Sequence, residues 1–526
     1  MCGPTRALLA MLLTALVLGG ALPYASGPGR SYLSYLVLAR QDDAAGAALA
    51  GAESRAAGGQ VVQEYPQIGA VLAYATGGFA DRVRARPGIA AVGATRTAPV
   101  VGPPRAVDGA GDFAAGDAVG GGAGVDRGVR AVGDGGGVGA VGAVGGGTAG
   151  GGGWGVQGRD GGTTTVPDPG EGAAWNLSMV HAEPGRTGDT AGGGAGGGAP
   201  GVEAMRKVLV AVLDSGVDDT HPDLRAAVDP KASASCADGR PDSRTGAWRP
   251  DPGVVESGHG THVAGIIGAA RDGQGVTGVA PGVRIAAVRL LGPLGQYYAE
   301  NIVCGMLWAA DHGAKAVNDS YFADPWKYNC PEDQDQAALI AAVGRAVAYA
   351  QRKGAVVVAS AGNDGQDLGA ARTDERSPND RVSGPALTRH LGTECIRLPG
   401  ELPGVLTVTA VNRDGRPSSY TNYGRGRVSL AAPGGDPDGG PQGAIVSDWP
   451  GGQYAALAGT SMAAAHVTGA VAVAAALHPG AGAGELAGVV AGAAAGAGGV
   501  GGGCSVGGRG CGDRQYFGVG VVVVPR

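Results

Sequence analysis

The chain has 526 residues, a formal charge of −6 with the two signs mixed, and 105 glycines against 5% aromatic residues. That length holds two or three domains with a sizeable core. The charge gives no electrostatic footing for nucleic acid or anionic lipid. The glycine excess has no collagen period and so belongs to loops and low-complexity stretches.

Residues 1–26 carry one early positive charge, Arg6, then an apolar run from Ala7 to Leu22 and small residues near Ala25. This pattern predicts a secretory signal peptide and an exported product. Six cysteines follow it, Cys236, Cys304, Cys330, Cys395, Cys504 and Cys511. An even set behind an export signal suggests disulfides, with the pairing left open and a local Cys504–Cys511 loop one option.

Residues 31–100 alternate as a compact unit. Strands are predicted at Tyr35–Ala39, Gln60–Glu64, Ile68–Tyr74 and Ile89–Val92, with helices at Ala45–Ala57 and Phe79–Ala85. The order βαββαβ is a small ferredoxin-like α+β sandwich. Its place between a leader and a larger domain suggests a propeptide. Residues 101–172 are a Gly-rich linker or insert, low in complexity from Gly109 to Gly162 and without helix or strand period. A second glycine run, Gly192 to Gly201, follows a short patch at Trp175-Asn176-Leu177.

From Lys207 to about 480 the pattern becomes α/β. Buried strands are predicted at Val208–Leu213, Ile285–Leu290, Ala314–Val317, Ala355–Ala359 and within Gly404–Val411. Helices are predicted at Gly260–Ala270, Tyr298–His312, Gln336–Lys353 and from Ser461 to Leu477, the last stopped by Pro479 and Gly480. Such alternation gives a mostly parallel sheet with helices on both faces, and ligands bind beyond the carboxyl ends of its strands. Residues 481–526 are a Gly/Ala-rich segment with a remnant closing strand at Tyr516–Val522.

Three groups in this domain suit acyl transfer by a serine: a nucleophile, a base, and an anion that orients the base. Asp214 ends an apolar strand. His259 lies in Ser257-Gly258-His259-Gly260-Thr261-His262, flanked by glycines. Ser461 opens a helix, where the dipole and the first N–H groups favour a developing oxyanion. Asn363, in Ala361-Gly362-Asn363-Asp364-Gly365, follows another strand. Taken singly, Asp214 and Asn363 also read as turn residues and Ser461 as a helix cap. His259 and His262 together would also suit a metal hydrolase, although no acidic residue lies between them.

The order Asp, His, Asn, Ser resembles the subtilisin-like serine proteases. The matching motifs are Asp214-Ser215-Gly216, His259-Gly260-Thr261-His262-Val263-Ala264-Gly265, Ala361-Gly362-Asn363 and Gly459-Thr460-Ser461-Met462-Ala463. Lesser echoes are Gly278-Val279-Ala280-Pro281, Ser419-Tyr420-Thr421-Asn422-Tyr423-Gly424 and Ala431-Ala432-Pro433-Gly434. The resemblance covers 173–480, and 31–100 look like that family's inhibitory propeptide. The cysteine placement and Asn318-Asp319-Ser320-Tyr321 look like secreted actinobacterial members.

The resemblance implies a catalytic triad of Asp214, His259 and Ser461, with Asn363 in the oxyanion hole. It implies substrate contacts from Ser320, Tyr321, Phe322, Ala359, Ser360, Ala361 and Gly362. The expected partners are polypeptide substrates and the chain's own propeptide, with no nucleic acid and no membrane after signal cleavage. A monomer is expected. No cofactor is required and no metal is assigned; structural calcium is common in the family, with no ligand set nameable here. The family usually has Pro where Ala465 stands. The alternative reading is a non-catalytic binding protein on a protease scaffold.

Overall fold

In a computed structural model of the chain, the residues described are 31–101, 165–166, 174–182, 200–254, 257–293, 295–380, 387–437, 441–496 and 513–526. The expected leader, the Gly109–Gly162 run, and Cys504 with Cys511 lie outside them.

The first unit comprises β1 (Ser31–Ala39), α1 (Ala44–Ala56), β2 (Gln60–Tyr65), β3 (Ala70–Ala75), α2 (Phe79–Arg84) and β4 (Ile89–Ala94). The antiparallel sheet runs β2-β3-β1-β4, with β5 (Val100–Val101) on β1. The third strand starts at Ala70 rather than Ile68, because Gly69 turns with φ +61° against the carbonyl of Gln41. Both sheet faces are covered. Val37, Val71, Ala73 and Val92 pack under Ala50 of α1 and Phe79 and Val83 of α2. Leu36, Leu38 and Leu72 pack on the larger domain.

The larger domain opens with short pieces, β6 (Thr165–Val166), α3 (Trp175–Met179) and α4 (Val202–Met205). Then come β7 (Leu209–Asp214), β8 (Ala234–Ser235), α5 (His259–Gly268), β9 (Arg284–Arg289), α6 (Ala299–Asp311), β10 (Ala316–Asp319), α7 (Gln334–Arg352) and β11 (Val356–Ser360). A hairpin, β12 (Arg372–Asp374) with β13 (Arg389–Leu391), precedes β14 (Leu406–Val411) and β15 (Leu430–Pro433). The sheet order is β15-β14-β11-β10-β7-β9-β8, every pair parallel. The chain starts at β7 and adds strands on one side, then on the other. The carboxyl ends of β7 and β10 therefore flank a switch point, where a crevice opens.

Alternation along the strands sets the two cores. Val210 and Val212 face α5 and α8 (Thr460–Leu477), while Leu209, Ala211 and Leu213 face α6 and α7. A small sheet of β16 (Ile445–Trp449), β17 (Gln453–Leu457) and β6 leads into α8. Helix α8 is apolar and long enough to cross a membrane, but it is 89% buried in the core. Its alanines and Gly469 let neighbours come close. Ala465 is fully buried in a continuous helix. Two disulfides, Cys236–Cys304 and Cys330–Cys395, brace the domain.

The sequence reading assigns no helix to 481–496, yet α9 (Ala483–Gly496) is there. Leu486, Val490 and Ala494, four residues apart, make one buried stripe on the core. After α10 (Arg514–Phe517), backbone bonds at Val519, Gly520 and Val522 tie the terminus to Ser429 and Ala431 beside β15.

The first unit sits on α6 and α7. Arg345 of α7 donates to the carbonyls of Ile68 and Ala39 at 2.9 and 2.8 Å. Arg84 pairs with Asp335 at 2.8 Å, and Tyr65 donates to the carbonyl of Gly239 at 2.6 Å. Gly93 has no room for a side chain: a Cβ there would lie 2.4 Å from the carbonyl oxygen of Asp335.

One substitution type should have opposite effects at two helical glycines. A Cβ on Gly469 in α8 would lie 2.6 Å from Val279, whereas Gly488 in α9 faces open space. Gly469→Ala is expected to lose about 1–3 kcal/mol to overpacking, and Gly488→Ala to gain up to about 1 kcal/mol from helix propensity. Denaturant unfolding of both variants in a Ser461→Ala background measures the two signs.

Candidate active site

Asp214 ends β7 with no solvent exposure. A buried carboxylate needs partners, and three surround it. Its Oδ1 accepts the N–H of Ser215 at 2.6 Å. His259 Nδ1 donates to Oδ1 and Oδ2 at 2.9 and 3.0 Å. The Tyr297 hydroxyl donates at 3.4 Å.

His259 opens α5, and the loop before it is drawn onto the end of β7. Ser215 Oγ donates to the carbonyl of Ser257 at 2.7 Å and accepts the N–H of Gly260 at 2.9 Å. A Cβ on Gly260 would lie 2.4 Å from the carbonyl of Gly216 and 2.9 Å from Asp214 Cβ. Glycine at 260 is therefore what lets the imidazole reach the carboxylate.

Ser461 lies in the first turn of α8, 1% exposed. Its hydroxyl donates to the carbonyl of Ser320, just past β10, at 3.3 Å, and Ser320 Oγ donates back to the carbonyl of Ser461 at 3.4 Å. Ser320 is joined to the Asp214 side by aromatic packing. Tyr321 stacks on Tyr297 with centroids 4.9 Å apart, and Tyr297 reaches Asp214. The residues at 214, 259, 320 and 461 thus share the carboxyl edge of the sheet, beside the switch point.

Asn363 follows β11 and is half-buried. Its Oδ1 accepts the N–H and the hydroxyl of Thr460 at 2.9 and 2.8 Å. A backbone N–H only donates, so the atom facing it is the amide oxygen and the NH₂ group faces the other way. Thr460 Oγ1 also accepts the N–H of Gly362 at 3.1 Å. Asn422 braces the same loop, donating to Ala361 and accepting from Asp364 and Gln366. The sequence reading overlooks Thr460 as an orienter, although its place between Gly459 and Ser461 is a signal.

Of the remaining predicted contacts, Tyr321 and Phe322 turn inward at 1% and 2% exposed. Tyr321 donates to Asp319 Oδ1 at 2.5 Å, and the Arg397 guanidinium lies 5.2 Å from the Phe322 ring. Ala359, Ser360 and Ala361 are buried, and Gly362 turns with φ +99°. What these segments can offer an extended peptide is mainly backbone.

His262 does not join His259. Its Nε2 donates to the carbonyls of Ile445 and Ala455 at 3.2 and 3.1 Å, and burial lowers its pKa to about 3. That geometry argues against a two-histidine metal site. His466 is likewise neutral, lowered to about 4 by burial. Its Nδ1 donates to Met462, and its Nε2 accepts from Asn176, which ties α3 to α8. Among the described residues, two trios bring ligand atoms within 4.8 Å of each other. Cys330, Glu332 and Cys395 include a disulfide. His221, Asp223 and Asp448 are buried and include an imidazole, which does not fit the roughly six to eight oxygens calcium takes.

Asp319 is fully buried beside this site. Burial, offset by the Tyr321 hydroxyl and reinforced by Asp214, raises its pKa to about 7.

The profile of the Subtilase family matches residues 205–508. Fervidolysin of Fervidobacterium pennivorans is 33% identical over 289 residues, 51% of this chain and 34% of its own length. Subtilisin BL of Lederbergia lenta is 31% identical over 272 residues, 52% of this chain and 77% of its own length. The crystal structure of the epidermin leader peptide processing serine protease from Staphylococcus aureus superposes with a TM-score of 0.61 and 18% identity. That match covers 94% of this chain and 97% of that one. The fervidolysin crystal structure gives 0.54 and 23%, covering 94% and 61%. At those identities the likeness is one of fold.

Folding raises the pKa of Asp319, so the native state holds its proton where the unfolded chain has lost it. Its contribution to stability therefore falls as pH rises from the ordinary carboxylate range to about 7, and is level above. Asp319→Asn should remove that fall. Denaturant unfolding at pH 4 to 8.5, in a Ser461→Ala background, should show a difference that grows in the variant's favour by more than about 1 kcal/mol. A difference constant across the window would refute it.

Proposed function

The chain belongs to the subtilase family, and from that premise we propose that it is a secreted serine endopeptidase made as a self-processed, inhibited precursor. The observation that carries the reading is the buried Asp214–His259 pair at the same sheet edge as a serine in the first turn of α8. An asparagine amide turned by Thr460 adds to it.

In this reading Ser461 Oγ attacks the substrate carbonyl while His259 Nε2 takes its proton. The tetrahedral oxyanion is held by the Asn363 side-chain N–H and the backbone N–H of Ser461, at the positive end of α8. The imidazolium then gives its proton to the leaving amine, and water hydrolyses the acyl-enzyme by the same relay. Asp214 keeps Nδ1 protonated, so Nε2 is the basic nitrogen. It also stabilises the imidazolium. The peptide adds as a strand beside 320–322 and 359–362.

Residues 31–100 act as the inhibitory propeptide. Support comes from their docking on the larger domain, where Arg84 pairs with Asp335 of α7, Arg345 of α7 bonds Ile68, and Tyr65 bonds Gly239. The predicted leader implies export, and disulfides suit an oxidising compartment. No metal or cofactor enters the reaction, and the ligands of any structural calcium are not assigned.

A fluorophosphonate probe should label the processed enzyme at Ser461. Ser461→Ala should stay unlabelled and full-length in a protease-free host. Equal processing of both forms would refute self-cleavage, and an unlabelled wild type would favour a binding protein on a protease scaffold. Asn363→Ala should lower kcat by roughly 10²–10³, the loss known for one oxyanion donor in a subtilisin. Thr460→Val should lower kcat less, with KM nearly unchanged, because it removes one of the two donors that orient the amide and keeps the backbone N–H.

A further inference from the structure

Glu300 lies in the first turn of α6 and is fully buried. Its partner comes from the first unit. Arg96 Nε and Nη2 donate to Glu300 Oε1 at 3.1 and 3.0 Å, and Ser34 Oγ donates to the same oxygen at 3.4 Å. The Arg96 guanidinium lies over the Tyr298 ring, 4.1 Å from its centroid. The next residues are held too. Asp380 accepts the N–H of Thr97 at 2.7 Å, the Thr97 hydroxyl, and the N–H of Ala98 at 3.3 Å. Arg96 therefore sits as a guest would: its charge against a carboxylate, its plane on an aromatic ring, and the following backbone N–H groups on a second carboxylate. The second oxygen of Glu300 has no hydrogen-bond partner among the described residues.

The slot lies on a wall that leads to the site. Tyr298 follows Tyr297, which reaches Asp214 and stacks on Tyr321. Tyr297 and Asp324 are joined by the N–H of Asp324 donating to the carbonyl of Tyr297 at 2.9 Å and by the N–H of Tyr297 donating to the Asp324 carboxylate. The wall thus runs from Ser320, which touches Ser461, to Asp324, four residues on.

We propose that when the first unit leaves, the slot of Glu300, Tyr298 and Asp380 takes a basic side chain of the substrate. The enzyme then selects arginine-bearing polypeptides. Removal of Arg96 leaves Glu300 without the cation it pairs with in the precursor. Arginine is favoured over lysine, because the slot offers both a carboxylate and a ring face. The proposal rests on Ser461 being the nucleophile.

The test uses the processed wild-type enzyme and internally quenched peptides that carry arginine, citrulline or leucine at each of the six positions before one cleavable bond. Citrulline keeps the shape of arginine without its charge. Expected is a kcat/KM at least roughly 10-fold higher for arginine than for citrulline at one of those positions, the scale of one charge-assisted hydrogen-bonded pair. Glu300→Gln should cut that ratio to below about 3-fold. Asp380→Asn, which removes a backbone acceptor, should slow arginine and citrulline peptides alike. Equal rates for arginine and citrulline in the wild type overturn the proposal, and this comparison needs no variant to fold. An arginine preference that survives Glu300→Gln also overturns it. Cleavage of no peptide, together with no fluorophosphonate labelling, instead overturns the serine-protease reading beneath it.

Discussion

The carboxylate of Asp214 is buried at the end of the central strand, and a buried charge is tolerable only if its neighbours answer it. That requirement organises the cleft. The Ser215 N–H, the imidazole of His259 and the hydroxyl of Tyr297 converge on its oxygens. To bring the imidazole in, α5 must start against the backbone beyond β7, and Gly260 permits that contact. Ser215 then fastens the approach loop with two further bonds. The His259 ring is fixed through Nδ1, so its other nitrogen is the basic one. Local sequence, close packing and proton chemistry follow from one buried charge.

A similar dependence holds across the cleft. The amide of Asn363 could sit either way round, and its isolated side chain has no reason to choose. Thr460 decides, since its N–H and hydroxyl both call for an acceptor. Asn422 holds the backbone around it. Thr460 is the first residue of α8, adjacent to Ser461. Ser461 and the Asn363 amide are therefore placed by the same helix turn. A shift of α8 relative to β11 would move both together.

Much of this was legible in the sequence, for definable reasons. A parallel sheet buried on both faces is written as apolar runs, and each predicted strand from Val208 to Val411 has its counterpart within a few residues. Asp214, His259, Asn363 and Ser461 were singled out by the order of their motifs, which resembles that of the subtilisin-like proteases. Interactions that depend on long-range approach were not. Glu300 was given no role in the sequence, because Arg96, 204 residues away, reaches it only through the docked first unit. The disulfide partners are 68 and 65 residues apart, a distance no local pattern constrains. Helix α9 was hidden by its glycines, which lower helix propensity. Its stripe of Leu486, Val490 and Ala494 is legible once a core face exists to receive it.

The two carboxylates near the cleft show how one environment separates two roles. Asp214 and Asp319 end neighbouring parallel strands, Asp319 standing opposite Leu213 in the register. Both are fully buried. If both were ionised, each would raise the cost of the other across a low-dielectric gap. The partners differ, however. Asp214 has a backbone N–H and the His259 imidazole. Asp319 has the Tyr321 hydroxyl on one oxygen, no hydrogen-bond partner on the other among the described residues, and a pKa raised to about 7. Below that pH Asp319 keeps its proton. Tyr297 and Tyr321, stacked between them, fill the space with rings where water would otherwise screen the pair. The sharing of charge across this edge is thus set by which acid the backbone and the imidazole reach.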